Sequence, residues 1–223
     1  MSGLTLEVPE PLLTSQISTG LKEGKYEWGE LRALKNVLRP EDRLLDIGSA
    51  IGFIACQACL IIEPEQLTCV EANPELIPVL EGNLARNGFI DARVCHGAVV
   101  EDTFAQDELS FQLNKSYLGS RIDGVGKPVA NRRTVTVPAL RLADLLVAFE
   151  PTVVMMDVEG VEVALTQHLW PGRTRVVIME IHPQYYGLNQ VDELFAGMAR
   201  NGFAYQPYGS RGAVVVFQRI GTE

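Results

Sequence analysis

Nowhere does this 223-residue chain hold an uninterrupted apolar run near the roughly 20 residues that a membrane-spanning helix needs, so no such span is expected. Its opening residues, Met1-Ser2-Gly3-Leu4-Thr5, lack the basic stretch followed by an apolar one that marks a secretory signal, and the cytoplasm is the expected compartment. Cysteine is scarce: Cys69 and Cys95 fall in apolar strand-like runs, while Cys56 and Cys59 share one predicted helix. All four are expected to be reduced, buried and inert, because the Cys56–Cys59 pair lies inside its helix rather than at the activating N-terminus. Positive charge is short as well. With 19 Lys and Arg against 28 Asp and Glu the net charge is −9, which disfavours binding of nucleic acid or anionic membranes by the protein as a whole. Neither an internal repeat nor a low-complexity tract interrupts the chain.

What is present is alternation. Apolar β-rich runs predict strands at 43–47, 67–71, 92–95, 153–157, 175–181, 203–208 and 213–218. Helices are expected at 28–37, 52–62, 74–87, 142–149, 161–168 and 190–201. Such a rhythm predicts an α/β fold, a mostly parallel sheet with helices on both faces. The link through Gly209, Ser210, Arg211 and Gly212 is too short for a parallel crossover, so the last two strands pair antiparallel and one strand at the sheet's end is reversed. Asn73 before Pro74 reads as a helix start, and Gly88 and Gly202 as left-handed stops. Residues 1–40 are expected to form a helical extension over a ligand, and 41–223 the main domain with a β-containing insertion at about 99–137. Within the stretch from Asn114 to Arg141, Lys115, Arg121, Lys127, Arg132, Arg133 and Arg141 face Asp123 alone, a basic island in an acidic protein.

The chemistry concentrates where strands end. Leu44-Leu45-Asp46-Ile47-Gly48-Ser49-Ala50-Ile51-Gly52-Phe53 is an apolar strand ending in an acid and a glycine turn that opens a helix, an arrangement that aims backbone N–H groups at an anionic group. Two departures count against NAD: Asp46 stands where a pyrophosphate would come close, and Ala50 replaces the glycine that lets a dinucleotide approach. S-adenosylmethionine fits better, because it has no phosphate and brings an ammonium and a sulfonium that an acid can hold. Glu71, ending the next strand, is placed to accept hydrogen bonds from ribose hydroxyls. Further acids end later strands: Asp157, with Glu159 close behind, and Glu180, followed by His182.

Taken together, Asp46-Ile-Gly-Ser-Ala-Ile-Gly52, Val70-Glu71-Ala-Asn-Pro74 and above all Asp157-Val-Glu-Gly-Val-Glu162 resemble the FkbM family of S-adenosylmethionine-dependent methyltransferases, over roughly Tyr26 to Glu180. The resemblance implies a Rossmann-like class I methyltransferase fold, seven mostly parallel strands with one antiparallel, and O-methylation of a hydroxyl on a natural product, sugar or lipid-linked glycan. It also implies that Asp46, Gly48, Ser49, Gly52 and Phe53 border the methionine portion, Glu71, Ala72 and Asn73 the ribose, Gly97 and Ala98 the adenine, and that Asp157 lies near the sulfonium and substrate. Ser49-Ala50 stands where relatives often show alanine and asparagine, which removes one possible hydrogen bond. Asp157, Glu180 or His182 is expected to take the acceptor's proton, His182 having the most suitable ordinary pKa, about 6.5. Tyr26, Glu159, Tyr185, Arg132 and Arg133 are expected at the acceptor. No metal is expected, although Asp157, Glu159, Glu180 and His182 would suit magnesium.

Three rivals are weighed. A nicotinamide oxidoreductase lacks support, since the chain has no recognisable Tyr-x-x-x-Lys pair. A nucleic-acid methyltransferase could use the basic island, but acidity and the lack of an RNA-binding module weigh against it. A non-enzymatic adenosyl-ligand sensor would share the same binding residues. The expected partners are a small hydroxylated acceptor and, as an assembly, a homodimer.

Overall fold

A computed structural model describes residues 3–10, 12–114, 117–127 and 132–222. Its helices are α1 (Ser15–Glu23), α2 (Trp28–Val37), α3 (Phe53–Ala58), α4 (Ile77–Arg86), α5 (Leu142–Phe149), α6 (Glu162–Thr166), α7 (Pro183–Tyr186) and α8 (Leu188–Arg200). Its strands are β1 (Leu44–Ile47), β2 (Leu67–Glu71), β3 (Arg93–His96), β4 (Ala98–Val100), β5 (Glu108–Leu113), β6 (Arg121–Ile122), β7 (Arg133–Arg141), β8 (Val153–Met156), β9 (Val176–Glu180), β10 (Phe203–Tyr205) and β11 (Val214–Arg219).

Seven strands form the main sheet in the order β10-β11-β9-β8-β1-β2-β3. This is the Rossmann-like α/β arrangement expected, with the strand order reversing beside β1, where β2 lies on one side and β8 on the other. β11 runs antiparallel to both β9 and β10, and so the reversed strand lies one in from the edge rather than at the sheet's end. Each central strand is buried on both faces, which its unbroken apolar sequence requires. Alternate residues sort to opposite cores: Leu44, Val153, Met155 and Ile178 pack with α2, α3 and α4, while Leu45, Val154, Met156 and Val177 pack with α5, α6 and α8.

Helix ends differ from expectation in one instructive place. α4 begins at Ile77, not Pro74, because Asn73 is committed elsewhere: its N–H donates to Glu71 Oε1 (2.7 Å) and its side chain accepts from Glu75 N (3.0 Å), closing a turn before the helix. The stops hold, with Gly88 at φ 82° and Gly202 at φ 79°. α2 packs Ala33 and Leu34 into the core against the sheet.

The insertion is a second sheet, β4-β7-β5-β6, with its own apolar core of Leu109, Phe111, Leu113 and Val137. It starts at β4, immediately after the main sheet's edge strand β3, and thus stands over the ends of the strands where a ligand would enter. The cysteines are all unpaired; Cys56 and Cys69 are buried as expected, but Cys59 and Cys95 are partly exposed. Burial pushes the Cys56 thiol to about 11 and Cys59 to about 12, far from reactive thiolate. No helix among the described residues is long and apolar enough to cross a membrane.

Candidate cofactor and acceptor site

The turn after β1 can only be glycine at its first position. Gly48 has φ 89°, and a Cβ there would lie 2.0 Å from the Asp157 carbonyl oxygen, so β1 and β8 are drawn together at their tips by the missing side chain. Gly48 N and Ser49 N both donate to Val70 O (2.8 and 3.1 Å), which ties the turn to β2. Ala50, where a dinucleotide turn would have glycine, takes the left-handed conformation regardless, at φ 46°. Its N–H donates to Glu71 Oε2 at 2.8 Å. The carboxylate at the tip of β2 thus holds the loop in a conformation its side chain disfavours.

Between this turn, the tip of β2, the Gly97–Val99 segment and the turn after β8 lies a cavity. Ala72, Asn73, Gly97 and Ala98 form its floor beside Glu71, while Phe111, Tyr117 to Ser120 and Ile122 from the second sheet form its roof. A small crevice adjoins it, lined by Asp46, Ser49, Glu27, Glu30 and Asp157. Asp46 is 3% exposed, and its Oδ2 accepts no hydrogen bond. Burial first, then the nearby Glu71 charge, raises its pKa to about 7.

A wider groove opens on the far side of Asp157. Glu30, Glu159, Glu180 and His182 line it together with Trp28, Tyr185 and Arg211. Glu27, Asp157 and Glu180 here are pushed towards neutrality. Glu27, at φ 45° ahead of α2, is raised to about 8 by burial and by Glu30, Asp46 and Glu180. Glu180 is raised to about 7 by burial and Glu30, and Asp157 well above its usual range by burial and Glu180. His182 goes the same way for the opposite reason: burial opposes its charge, but the hydrogen bond to Glu162 and the Asp157 charge outweigh that, lifting it to about 9. His182 is thus displaced upward from the ordinary imidazole value of about 6.5 on which its expected role as base rests. The carboxylates around it are what detune it.

His182 is held by a partner the sequence reading did not assign. Glu162, fully buried, accepts from His182 Nδ1 at 2.6 Å and from Gly160 N at 3.0 Å through the same oxygen. Tyr185 stacks on the imidazole (5.8 Å between centroids, 25° between planes), and the buried Arg121 lies 4.7 Å from the Tyr185 ring.

Of the residues singled out in the sequence, Asp46, Gly48, Ser49, Glu71, Ala72, Asn73, Gly97, Ala98 and Asp157 come together around the cavity and its crevice. Tyr26, Glu159, Tyr185, Glu180 and His182 gather in the groove. Gly52 and Phe53 stand behind the walls: Gly52 lies against Leu80, and Phe53 packs edge-on against Tyr26 at 5.4 Å. Arg132 and Arg133 line neither space. Arg133 pairs with Glu75 at the surface (2.5 Å), and Arg132 donates to Gly119 O (3.0 Å). The basic island is therefore not one cationic surface: Arg121 is internal, donating to Val125 O (2.8 Å), and Arg141 donates to Phe104 O (3.2 Å). Lys115 lies outside the described residues.

The sequence reading missed Glu30, Tyr117 and Glu162, and took Glu27 only as part of the Tyr26–Trp28 segment expected to fold over the ligand. Glu27 adjoins both spaces and the crevice, and Tyr117 caps the cavity with its hydroxyl 3.0 Å from that of Tyr26. Glu162 did have a signal, since it closes the Asp157–Glu162 block; Tyr117 had none. Four non-glycine residues with left-handed backbones, Glu27, Ala50, Tyr117 and Glu159, all line the cavity. Strain of this kind gathers at binding sites.

An open α/β sheet with acids at or near the ends of β1, β2, β8 and β9 defines a Rossmann-like α/β fold. No protein-family model matches the chain, and a search of curated proteins finds no match. Solved structures are similar at low identity. A precorrin-6y C5,15-methyltransferase from Geobacter metallireducens is 10% identical, with 96% of this chain and 94% of that one covered at a TM-score of 0.47. A TehB-like SAM-dependent methyltransferase from Corynebacterium glutamicum is 12% identical, covering 92% and 94% at 0.46. The fibrillarin of Aeropyrum pernix, solved with natively bound S-adenosyl-L-methionine, is 13% identical, covering 84% and 73% at 0.43.

Proposed function

We propose that the protein is an S-adenosylmethionine-dependent methyltransferase that methylates a hydroxyl of a small molecule, consistent with the FkbM-like motifs. The observation that carries this reading is Asp46: a buried carboxylate with an unpartnered oxygen, facing a crevice with Glu27, Glu30 and Asp157, beside a turn that no side chain fits. Such a set rejects a diphosphate and suits a cation. Asp46, Gly48 and Ser49 would hold the methionine end, Glu71 the ribose, and Gly97 with Ala98 the adenine. Residues 1–40 would cover this bound group, and 41–223 form the methyltransferase domain.

Bound there, S-adenosylmethionine supplies an electrophilic methyl group. The chain's own contribution is positional and electrostatic. Tyr117 to Ser120 close the cavity against water, and the groove beyond Asp157 admits the acceptor. Glu180 or Asp157 takes the hydroxyl proton, and His182, locked by Glu162, orients the acceptor oxygen. A positive ligand lowers the proton affinity of all three, so more of the cluster is unprotonated and able to accept a proton once the site fills.

Calorimetric titration tests this directly. S-adenosylhomocysteine is expected to bind and NAD not to bind; the reverse result would sink the proposal. With the true acceptor, Asp157→Asn and His182→Gln are each expected to cut turnover. Unchanged turnover in both removes the assigned roles.

A further inference from the structure

We propose that Asp157, Glu180 and His182 together bind a divalent cation at the floor of the acceptor groove, a reading that rests on the methyltransferase assignment for its role but not for its chemistry. One ligand atom from each lies within 4.8 Å of the other two, although the three residues come from different places: the tip of β8, the tip of β9 and the start of α7. Ligands about 2.1 Å from a shared ion stand about 3 Å apart when adjacent and about 4.2 Å when opposite, so small side-chain shifts suffice.

Three independent features support an ion here rather than a knot of hydrogen bonds. Asp157 Oδ1 is sealed from solvent and accepts no hydrogen bond. A buried carboxylate oxygen left in that state is costly unless a cation meets it. His182, 5% exposed, points Nε2 at the same place, 3.6 Å from Asp157 Oδ1 and 3.5 Å from Glu159 Oε2, too far for a hydrogen bond to either. Its other nitrogen is bound to the fully buried Glu162, whose same oxygen also accepts from Gly160 N. Carboxylate behind imidazole behind ion is the order in which proteins fix metal-binding histidines.

Charge leads to the same conclusion. Glu23, Glu27, Glu30, Asp157, Glu159 and Glu180 line the groove against Lys25, His182 and Arg211, an excess of acids over bases that a divalent cation would offset. Two carboxylates and one imidazole, without thiolate, suit magnesium or manganese. An ion held by three residues keeps positions open towards the groove. An acceptor hydroxyl bound there would give up its proton more readily, to Glu159, the groove carboxylate outside the ligand set, with Asp157 and Glu180 then serving as ligands in place of the base.

The test uses the full chain freed of metal with a chelator and titrated with Mn²⁺, following free Mn²⁺ by electron paramagnetic resonance. One saturable site per chain is expected at or below ~1 mM. Binding should weaken by about tenfold or more in Asp157→Asn and Glu180→Gln, and remain unchanged in Glu108→Gln on the outer sheet. S-adenosylhomocysteine binding, measured on the same samples, verifies folding and reports on the cofactor cradle separately. Absence of a one-to-one Mn²⁺ site in the wild-type chain overturns the proposal. So does undiminished binding in both site variants. Loss of S-adenosylhomocysteine binding with the Mn²⁺ site intact would count against the methyltransferase reading alone.

Discussion

Asp42 and Asp46 flank the same strand and are almost equally hidden, at 2% and 3% exposure, yet they are treated in opposite ways. Asp42, below the N-terminal edge of the sheet, accepts from Arg39 N (2.7 Å), Thr152 Oγ1 (2.7 Å) and Arg175 Nε (2.9 Å), with a second Arg175 nitrogen on its other oxygen. Burial works against its charge, but the Arg175 hydrogen bonds and those of Thr152 and Arg39 hold its carboxyl below the usual range. At the opposite edge, Asp46, Asp157, Glu27 and Glu180 lack that satisfaction and are driven upward. A fold that satisfies one buried aspartate fully and leaves another bare has separated a structural edge from a ligand edge.

Removing the satisfied partner should produce the largest effect. Asp42→Ala strands Arg175 and is expected to cost about 3–5 kcal/mol in urea unfolding, with little change in S-adenosylhomocysteine affinity of the folded chain. An equal loss of affinity would erase the distinction. Glu71→Ala tests the ligand edge: affinity for S-adenosylhomocysteine should fall at least tenfold, about 1.4 kcal/mol.

The comparison also has a pH signature. Asp42, with a lowered folded pKa, lends stability at neutral pH that is lost as pH falls through that value. Glu27 ionises near 4.5 ordinarily but at about 8 in the folded chain, so the folded state holds a proton that the unfolded state has released. Stability therefore declines as pH rises from about 4.5 to about 8. Glu27→Gln should raise the ligand-free melting temperature at pH 8 and leave it nearly unchanged at pH 4; equal shifts at both would reject the cause. The smallest effect is expected from Ala50→Gly, which relieves a left-handed alanine and should stabilise by about 1 kcal/mol in the same unfolding measurement.

How much of this was written locally in the chain follows from what each part depends on. β2, α2 and α5 are bounded as their own residues predict, because a buried strand or an amphipathic helix announces itself by periodicity. Glu71 and Asp157 were legible because strand tips are fixed by the strands. The start of α4 was not, since the bonds from Glu75 N and Leu76 N to Asn73 close a separate turn ahead of the helix. Arg132 and Arg133 were misplaced for a related reason: a run of basic residues says nothing about which of them turns inward, and Arg121 did. Tyr117 reaches the cavity only through the way the second sheet is set on the first, a long-range outcome with no short-range mark.

The left-handed residues around the cavity carry a cost for anyone seeking a hardier protein. Each such backbone forfeits about 1–3 kcal/mol, and Glu27, Ala50, Tyr117 and Glu159 all adjoin the same space. A screen for heat resistance would find its cheapest gains at these positions, by glycine or asparagine, and would reshape the walls of the cavity. On the proposed reading, durability and turnover compete for the same handful of side chains.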